Sequence, residues 1–440
     1  MVGVVDPGGD VHRESAVTWR RLFAVFWRIG ILSFGGPAAQ IALMHRVLVE
    51  EERWLDEPRF LGALSFCMLL PGPEAMQLAT YSGWQLRGVP GGLVAGLLFV
   101  VPGAMVVLGL AMLYAAGGHL PLVAALFLGI KGAVLVIVIE ALLRVANRAL
   151  HSAVHWVVAG LAFVGIFFLS VPFPVIILAA ALAGFLLLGG QSTGDAKPTG
   201  RGSGSLSGTA RTIALWMAVW WTPVLLLAAV GGYDILVQLG NFFSRLAVVT
   251  FGGAYAVLAY LAQDVVTHHG WLTAGEMMDG LGLAETTPGP LILVTEFVGY
   301  IAAYRAGGLS MGIAGALVTL WVTFAPCFLW IFAGAPYIEQ LTAQPRLKGA
   351  LEAITAAVVG VILNLSIWFS LHVLFAELSS HQSGPVKLLV PDWYSLDWRV
   401  LAVGLVSAIM LLWRHQSLMS TLGVAALMGL GFGAMDYLAG

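Results

Sequence analysis

Arg28-Ile29-Gly30-Ile31-Leu32-Ser33-Phe34-Gly35-Gly36-Pro37 returns later in the chain as Arg245-Leu246-Ala247-Val248-Val249-Thr250-Phe251-Gly252-Gly253. The offset from Arg28 to Arg245 and from Phe34 to Phe251 is 217 residues. The same offset carries Trp54-Leu55 onto Trp271-Leu272 and Pro71-Gly72-Pro73 onto Pro288-Gly289-Pro290. Three separate blocks at one spacing mark an internal duplication. Its two copies share helix-breaking motifs inside apolar runs, the pattern of a membrane transporter whose site lies between repeats.

Composition agrees. The chain is 59% hydrophobic and 10% charged, with a mean hydropathy of +0.92. A soluble domain carries about 25% charged residues, so this chain cannot cover itself with polar surface and reads as an all-α, polytopic membrane protein. Its net charge of −2 says nothing about nucleic acid, because the few charges are scattered between apolar runs, and no nucleic-acid partner is expected. The bilayer is the expected partner, and the sequence leaves a homodimer open. Cys67 and Cys327 lie far apart in apolar surroundings, with no metal spacing. No cofactor or metal is expected, and no cleavable signal peptide is evident in the mixed first 20 residues.

Each span needs about 20 apolar residues. The first copy offers runs at 22–45, 60–86, 93–115, 122–145, 154–171 and 174–189. The second offers 235–262, 277–303, 309–333, 350–375, 399–413 and 417–437. A further run, 213–231, lies between them. The expected organisation is an N-terminal cytoplasmic tail (1–18), a first repeat (19–190), a Gly/Ser-rich loop (191–212), a linker span (213–232) and a second repeat (233–440). Later pieces align at 224 instead of 217: Val101-Pro102 on Ala325-Pro326, and Ala133-Val134 on Ala357-Val358. Six spans per copy plus one linker make about thirteen, and an odd linker inverts the second copy. Twelve Lys or Arg then fall in inside loops against six outside, which favours an N-terminus inside and a C-terminus outside. Re-entrant hairpins at the broken runs would lower that number.

A membrane helix broken at Phe-Gly-Gly exposes backbone N–H and C=O groups, each costing several kcal/mol in hydrocarbon. The break is tolerated where those groups meet protein, water or a ligand. The half-helix that follows aims free N–H groups and a partial positive charge at the break, which suits an anion. Glycine lets a ligand approach the backbone, and the prolines remove N–H groups and free upstream carbonyls. The bland reading is a packing kink, less natural for two motifs duplicated in register. Candidate substrate-binding residues are therefore Ser33, Phe34, Gly35, Gly36, Pro37, Pro71, Gly72, Pro73, Thr250, Phe251, Gly252, Gly253, Pro288, Gly289 and Pro290. Arg28 and Arg245 join them, because a guanidinium fork matches a tetrahedral oxyanion; snorkelling to the interface is the alternative. Lys131 can hold an anion or pair with a carboxylate, and Glu140 shares its span. Glu74, Glu140, Glu285 and Glu296 are candidate proton-coupling carboxylates. No nucleophile triad, phosphate loop or zinc spacing supports an enzyme.

With those motifs in hand, the chain resembles the chromate ion transporter family in its long two-domain form, over about residues 19–437. The resemblance rests on Phe-Gly-Gly(-Pro) at 34–37 and 251–253, Trp54 and Trp271, and the two Pro-Gly-Pro motifs. It implies a secondary transporter that exports chromate across the bacterial inner membrane on membrane energy instead of ATP, conferring resistance. Ala254 stands where the first copy has Pro37, so the second break is expected to be gentler. Sulfate has the same shape and charge as chromate and is the alternative substrate; a passive anion channel is the alternative mechanism.

Overall fold

The computed structural model describes residues 17–117, 120–188, 205–251, 254–342, 344–383 and 386–439. Gly252 and Gly253 lie outside the described residues, as do most of the expected N-terminal tail and Gly/Ser-rich loop.

Helix α1 (Trp19–Leu32) starts at Thr18, whose hydroxyl accepts the Arg21 N–H, and ends at Ser33. The chain reverses through Gly35 and Gly36, at φ of 86° and 77°, and α2 (Gly36–His45) begins with Pro37 in its first turn. Positive φ is cheap only for glycine, so the motif dictates the turn. A π-turn, Arg46–Glu51, continues α2. It runs back beside α1: Arg21 pairs with Glu52 at 2.9 Å, Arg28 with Glu51 at 2.8 Å, and the Phe26 and Trp54 rings lie 6.3 Å apart.

Helix α3 (Glu57–Leu69) turns at Pro71-Gly72-Pro73 into α4 (Glu74–Gly117). Helix α4 is two limbs, broken at Arg87 and at Gly88, whose φ is 62°. The first limb returns to the base of α1, where Arg87 donates to the Val17 carbonyl and its guanidinium covers the Trp19 ring. The second limb is a full span, and α5 (Pro121–Ala149) follows it.

The second copy repeats the plan. Helix α9 (Asp234–Val249) turns into α10 (Ala254–Gln263). Phe242 on α9 packs on Tyr260 and on Trp271 beyond it. Helix α11 (Ala274–Thr286), started by a Thr273–Glu276 capping box, turns at Pro288-Gly289-Pro290 into α12 (Val294–Gly334). Helix α12 breaks at Gly307-Gly308, and Arg305 before the break pairs with Glu276 at the foot of α11.

The runs expected as single spans at 22–45, 60–86, 235–262 and 277–303 are therefore folded-back hairpins. The reason is metric. A 14-residue helix is about 21 Å long, short of a hydrocarbon core of about 30 Å. Among the described residues six helices are long and apolar enough to cross a membrane, and α6 (Ala153–Phe167) and α7 (Phe173–Leu187) fall below that length. The expected thirteen single spans give way to hairpins and spans in combination. Linker helix α8 (Leu206–Val230) begins seven residues before the expected 213.

The copies are interleaved. Helices α6 and α7 pack on α14 (Pro345–Leu374), whereas α15 (Trp398–Ala408) and α16 (Leu418–Ala439) pack on α5. Small residues set these contacts: a Cβ on Gly184 would strike the Gly349 carbonyl, and one on Gly129 the Ala425 carbonyl. Close backbone approach of this kind is how helices associate where burial from water drives nothing. A two-stranded antiparallel sheet, β1 (Leu378–Ser383) with β2 (Val386–Pro391), joins α14 to α15.

Candidate functional site

The four hairpin tips meet. The Gly72 N–H donates to the Thr250 carbonyl at 2.8 Å, and the Gly289 N–H donates to the Ser33 carbonyl at 2.8 Å. Gly72 and Gly289 are repeat partners at offset 217, as are Ser33 and Thr250. Each Pro-Gly-Pro tip therefore grips the Phe-Gly-Gly tip of the other copy through an equivalent bond. Gly72 (φ 119°) and Gly289 (φ 92°) have backbone conformations that disfavour side chains. The Ser33 and Thr250 hydroxyls each donate one turn back, to Ile29 and Leu246 at 2.6 Å. Their carbonyls, not their hydroxyls, build the junction.

Two glutamines that the sequence reading passed over belong here. Gln40 is 1% exposed, and its Nε2 donates to the Gly289 carbonyl at 2.7 Å and the Ser33 carbonyl at 3.4 Å. Gln77 donates to the Pro71 carbonyl at 2.7 Å. Single amides in apolar helices were the available signal, because a buried amide needs partners. The repeat positions hold Val257 and Val294, so the duplication did not flag them.

Helices α2 and α4 begin at this junction, and a short 3-10 turn, Leu291–Leu293, leads into α12. Pro37, Gln40, Pro73, Glu74, Ala75, Pro290, Leu291 and Ile292 enclose a space of about 20 Å³ between these starts. That holds about one water, so the junction is closed. The opening N–H groups of a helix have no intrahelical acceptor, and their aligned dipoles give the space a positive lining.

A larger cavity adjoins the first tip. Gly35, Ile137, Glu140, Arg144, Tyr255, Glu285, Leu411, His415, Gln416 and Leu418 line about 220 Å³. Glu140 pairs with Arg144 one turn along α5, and the Tyr255 hydroxyl donates to buried Glu285 at 2.9 Å. A second cavity, of about 620 Å³, is lined by Tyr260, Asp264, His268, Asn364, Trp368 and strand residues Ser380 and Leu388, among others. At offset 224, Asn364 and Trp368 are the repeat partners of Glu140 and Arg144. The two vestibules are thus counterparts, one charged and narrow, the other wide and without an arginine in its lining.

The remaining predicted residues lie apart. Arg28 is half exposed and bidentate on Glu51, at 2.8 and 3.3 Å. Arg245 is exposed on α9. Lys131 lies 3.3 Å from Asp279, which also accepts the Tyr114 hydroxyl at 2.8 Å. The Lys131–Glu140 pairing that one span suggested does not form, because nine residues place them on different helix faces. Phe34 is exposed and Phe251 half-buried. Glu296 is buried in the first turn of α12, with its Oε2 lacking a hydrogen-bond partner among the described residues.

Arg28→Lys should test the exposed pair. A Glu51→Gln variant with the same transport defect assigns the effect to the pair; a defect in Arg28→Lys alone assigns it to a ligand.

The family model described as "Chromate transporter" matches residues 20–185 and 237–430. The "Chromate transport protein" of Pseudomonas aeruginosa is 32% identical over 350 residues, covering 79% of this chain and 80% of the relative. The protein of that name from Cupriavidus metallidurans is 30% identical over 362 residues, covering 82% and 84%. The "Probable chromate transport protein" of Synechococcus elongatus is 28% identical over 367 residues, covering 81% and 86%. No solved structure matches the chain.

Proposed function

The chain belongs to the chromate transporter family, and from that premise we propose that it exports chromate across the inner membrane as a secondary transporter and confers chromate resistance. The substrate site is the junction of the four tips, reached in turn from the two vestibules. The observation that carries this reading is the reciprocal pair of bonds between Gly72 and Thr250 and between Gly289 and Ser33. A junction gripped equivalently by both copies can open toward either vestibule when the copies rock against each other.

The copies are inverted, with the N-terminus cytoplasmic and the C-terminus periplasmic. Supporting this, the second limbs of α4 and α12 run antiparallel: Cβ positions on Gly92 and Gly96 meet Phe332 and Phe328 respectively. Cysteines placed at Trp54 and Trp271 should label from opposite faces of the membrane. Labelling of both from one face would replace inversion with a parallel duplication.

Charge sets the direction. Moving one charge through 100 mV is worth about 2.3 kcal/mol, so an inside-negative potential favours exit of a dianion by about 4.6 kcal/mol. Glu74, Glu140, Glu285 and Glu296 are the groups we assign to any proton coupling on top of that drive. Tetrahedral geometry and double charge make sulfate the natural competitor.

Everted vesicles containing the protein should accumulate chromate saturably, with sulfate competing and collapse of the membrane potential reducing uptake. Accumulation no greater than in vesicles without the protein would end this reading. Unsaturable uptake that follows the membrane potential alone, without dependence on a proton gradient, would favour a channel.

A further inference from the structure

We infer that the 220 Å³ cavity beside Gly35 is the oxyanion's entry site, with Arg144 as its cationic ligand and Glu140 as a tethered carboxylate that occupies Arg144 when no anion is bound. This deepens the proposed transport function and rests on it.

Few cations can meet the substrate near a tip. Arg28 is engaged by Glu51 on the hairpin flank, and Lys131 by Asp279. Arg144 alone among these shares a cavity with a glycine of a Phe-Gly-Gly motif. The volume suits the ligand: at about 30 Å³ per water, it accommodates a tetrahedral oxyanion with several waters retained. The lining can clothe such an anion. Arg144 offers a planar fork, Gln416 an amide, and His415 a ring N–H, while the Tyr255 hydroxyl stays on Glu285. Pro37 and Gln40, just past Gly35 on α2, line the closed space at the junction, so the cavity leads directly toward the tips.

The obstacle is also the mechanism. Glu140 pairs with Arg144, and a carboxylate is a poor companion for a dianion. The oxyanion therefore replaces Glu140 on the guanidinium, and the released carboxylate takes up one proton from the bulk solution. One dianion binds and one proton is taken up, with no other bond changed. Lower pH removes the competitor and strengthens binding; higher pH restores it and weakens binding. The other ionisable groups facing Glu140 and Arg144 are Glu285 on α11, Tyr255 on α10 and His415 in the turn before α16. The repeat partners of Glu140 and Arg144 are Asn364 and Trp368, so the device belongs to one vestibule only.

The test is calorimetric titration of the purified full-length protein in detergent with chromate, and in parallel with sulfate, across pH. Wild-type affinity should fall as pH rises, by up to tenfold per pH unit for one linked proton. Glu140→Gln, nearly isosteric, should bind tightly with the pH slope gone. Arg144→Ala should lose at least tenfold in affinity, and Arg144→Lys should recover part of it. His415→Gln should keep the wild-type slope. Persistence of the slope in Glu140→Gln, its loss in His415→Gln, or wild-type affinity in Arg144→Ala each overturns the inference while leaving chromate transport standing. A wild-type protein that neither binds nor transports either anion overturns the proposed function itself.

Discussion

Gly289→Val, and separately Gly72→Val, should abolish chromate transport, by at least 100-fold, while the protein still inserts in the membrane. Both glycines hold positive φ, at 92° and 119°. A branched residue there carries backbone strain of order 1–3 kcal/mol. The new side chain is also crowded, so its neighbours must shift. A Cβ at 72 comes within 2.9 Å of the Gln77 amide and 3.0 Å of the Cys327 sulfur, and one at 289 within 3.0 Å of Leu293. Relief of either strain pulls the glycine N–H off the carbonyl of the opposite copy. Transport is read in vesicles and insertion by membrane fractionation. Near-normal uptake in both variants would reduce the tips to ordinary kinks. Gly36→Val forms a contrast. Its φ is 77°, yet a Cβ there meets open space. That variant should lose transport with less loss of thermal stability.

The second large effect is expected for Gln40→Leu. Its amide bonds the Gly289 and Ser33 carbonyls, so it fastens the first hairpin to the Pro-Gly-Pro tip of the other copy. Leucine of similar size leaves the Gly289 carbonyl short of its donor, at about 1–3 kcal/mol for a buried group left unsatisfied, while the Ser33 carbonyl keeps the Gly289 N–H. Uptake should fall by roughly 10- to 100-fold, with earlier unfolding in detergent. Gln77→Leu frees the Pro71 carbonyl within its own copy and should cost less. Equal effects from the two glutamines would show that the bond between copies has no special place.

The sequence by itself determined the class, the duplication, the break points and the family. Each follows from local chemistry repeated at one offset: apolar runs demand a membrane, and Gly-Gly-Pro or Pro-Gly-Pro ends a helix wherever it stands. Sequence also marked the turns at Gly35-Gly36 and at the two Pro-Gly-Pro motifs, because positive φ and missing N–H groups are properties of the residues themselves. Tertiary structure alone decided what a broken run does next. A run of 24 apolar residues reads alike whether it crosses or folds back, and only pairs such as Arg28–Glu51 and Arg305–Glu276 tell the two apart. It decided partners too. Lys131 chose Asp279 over Glu140 because α11 packs beside α5, a contact between residues 148 positions apart. The exchange of α6–α7 and α15–α16 between copies, and the roles of Gln40 and Arg144, were hidden for the same reason. Hydropathy and spacing report what a residue needs, whereas which group answers that need depends on distant segments brought together by packing.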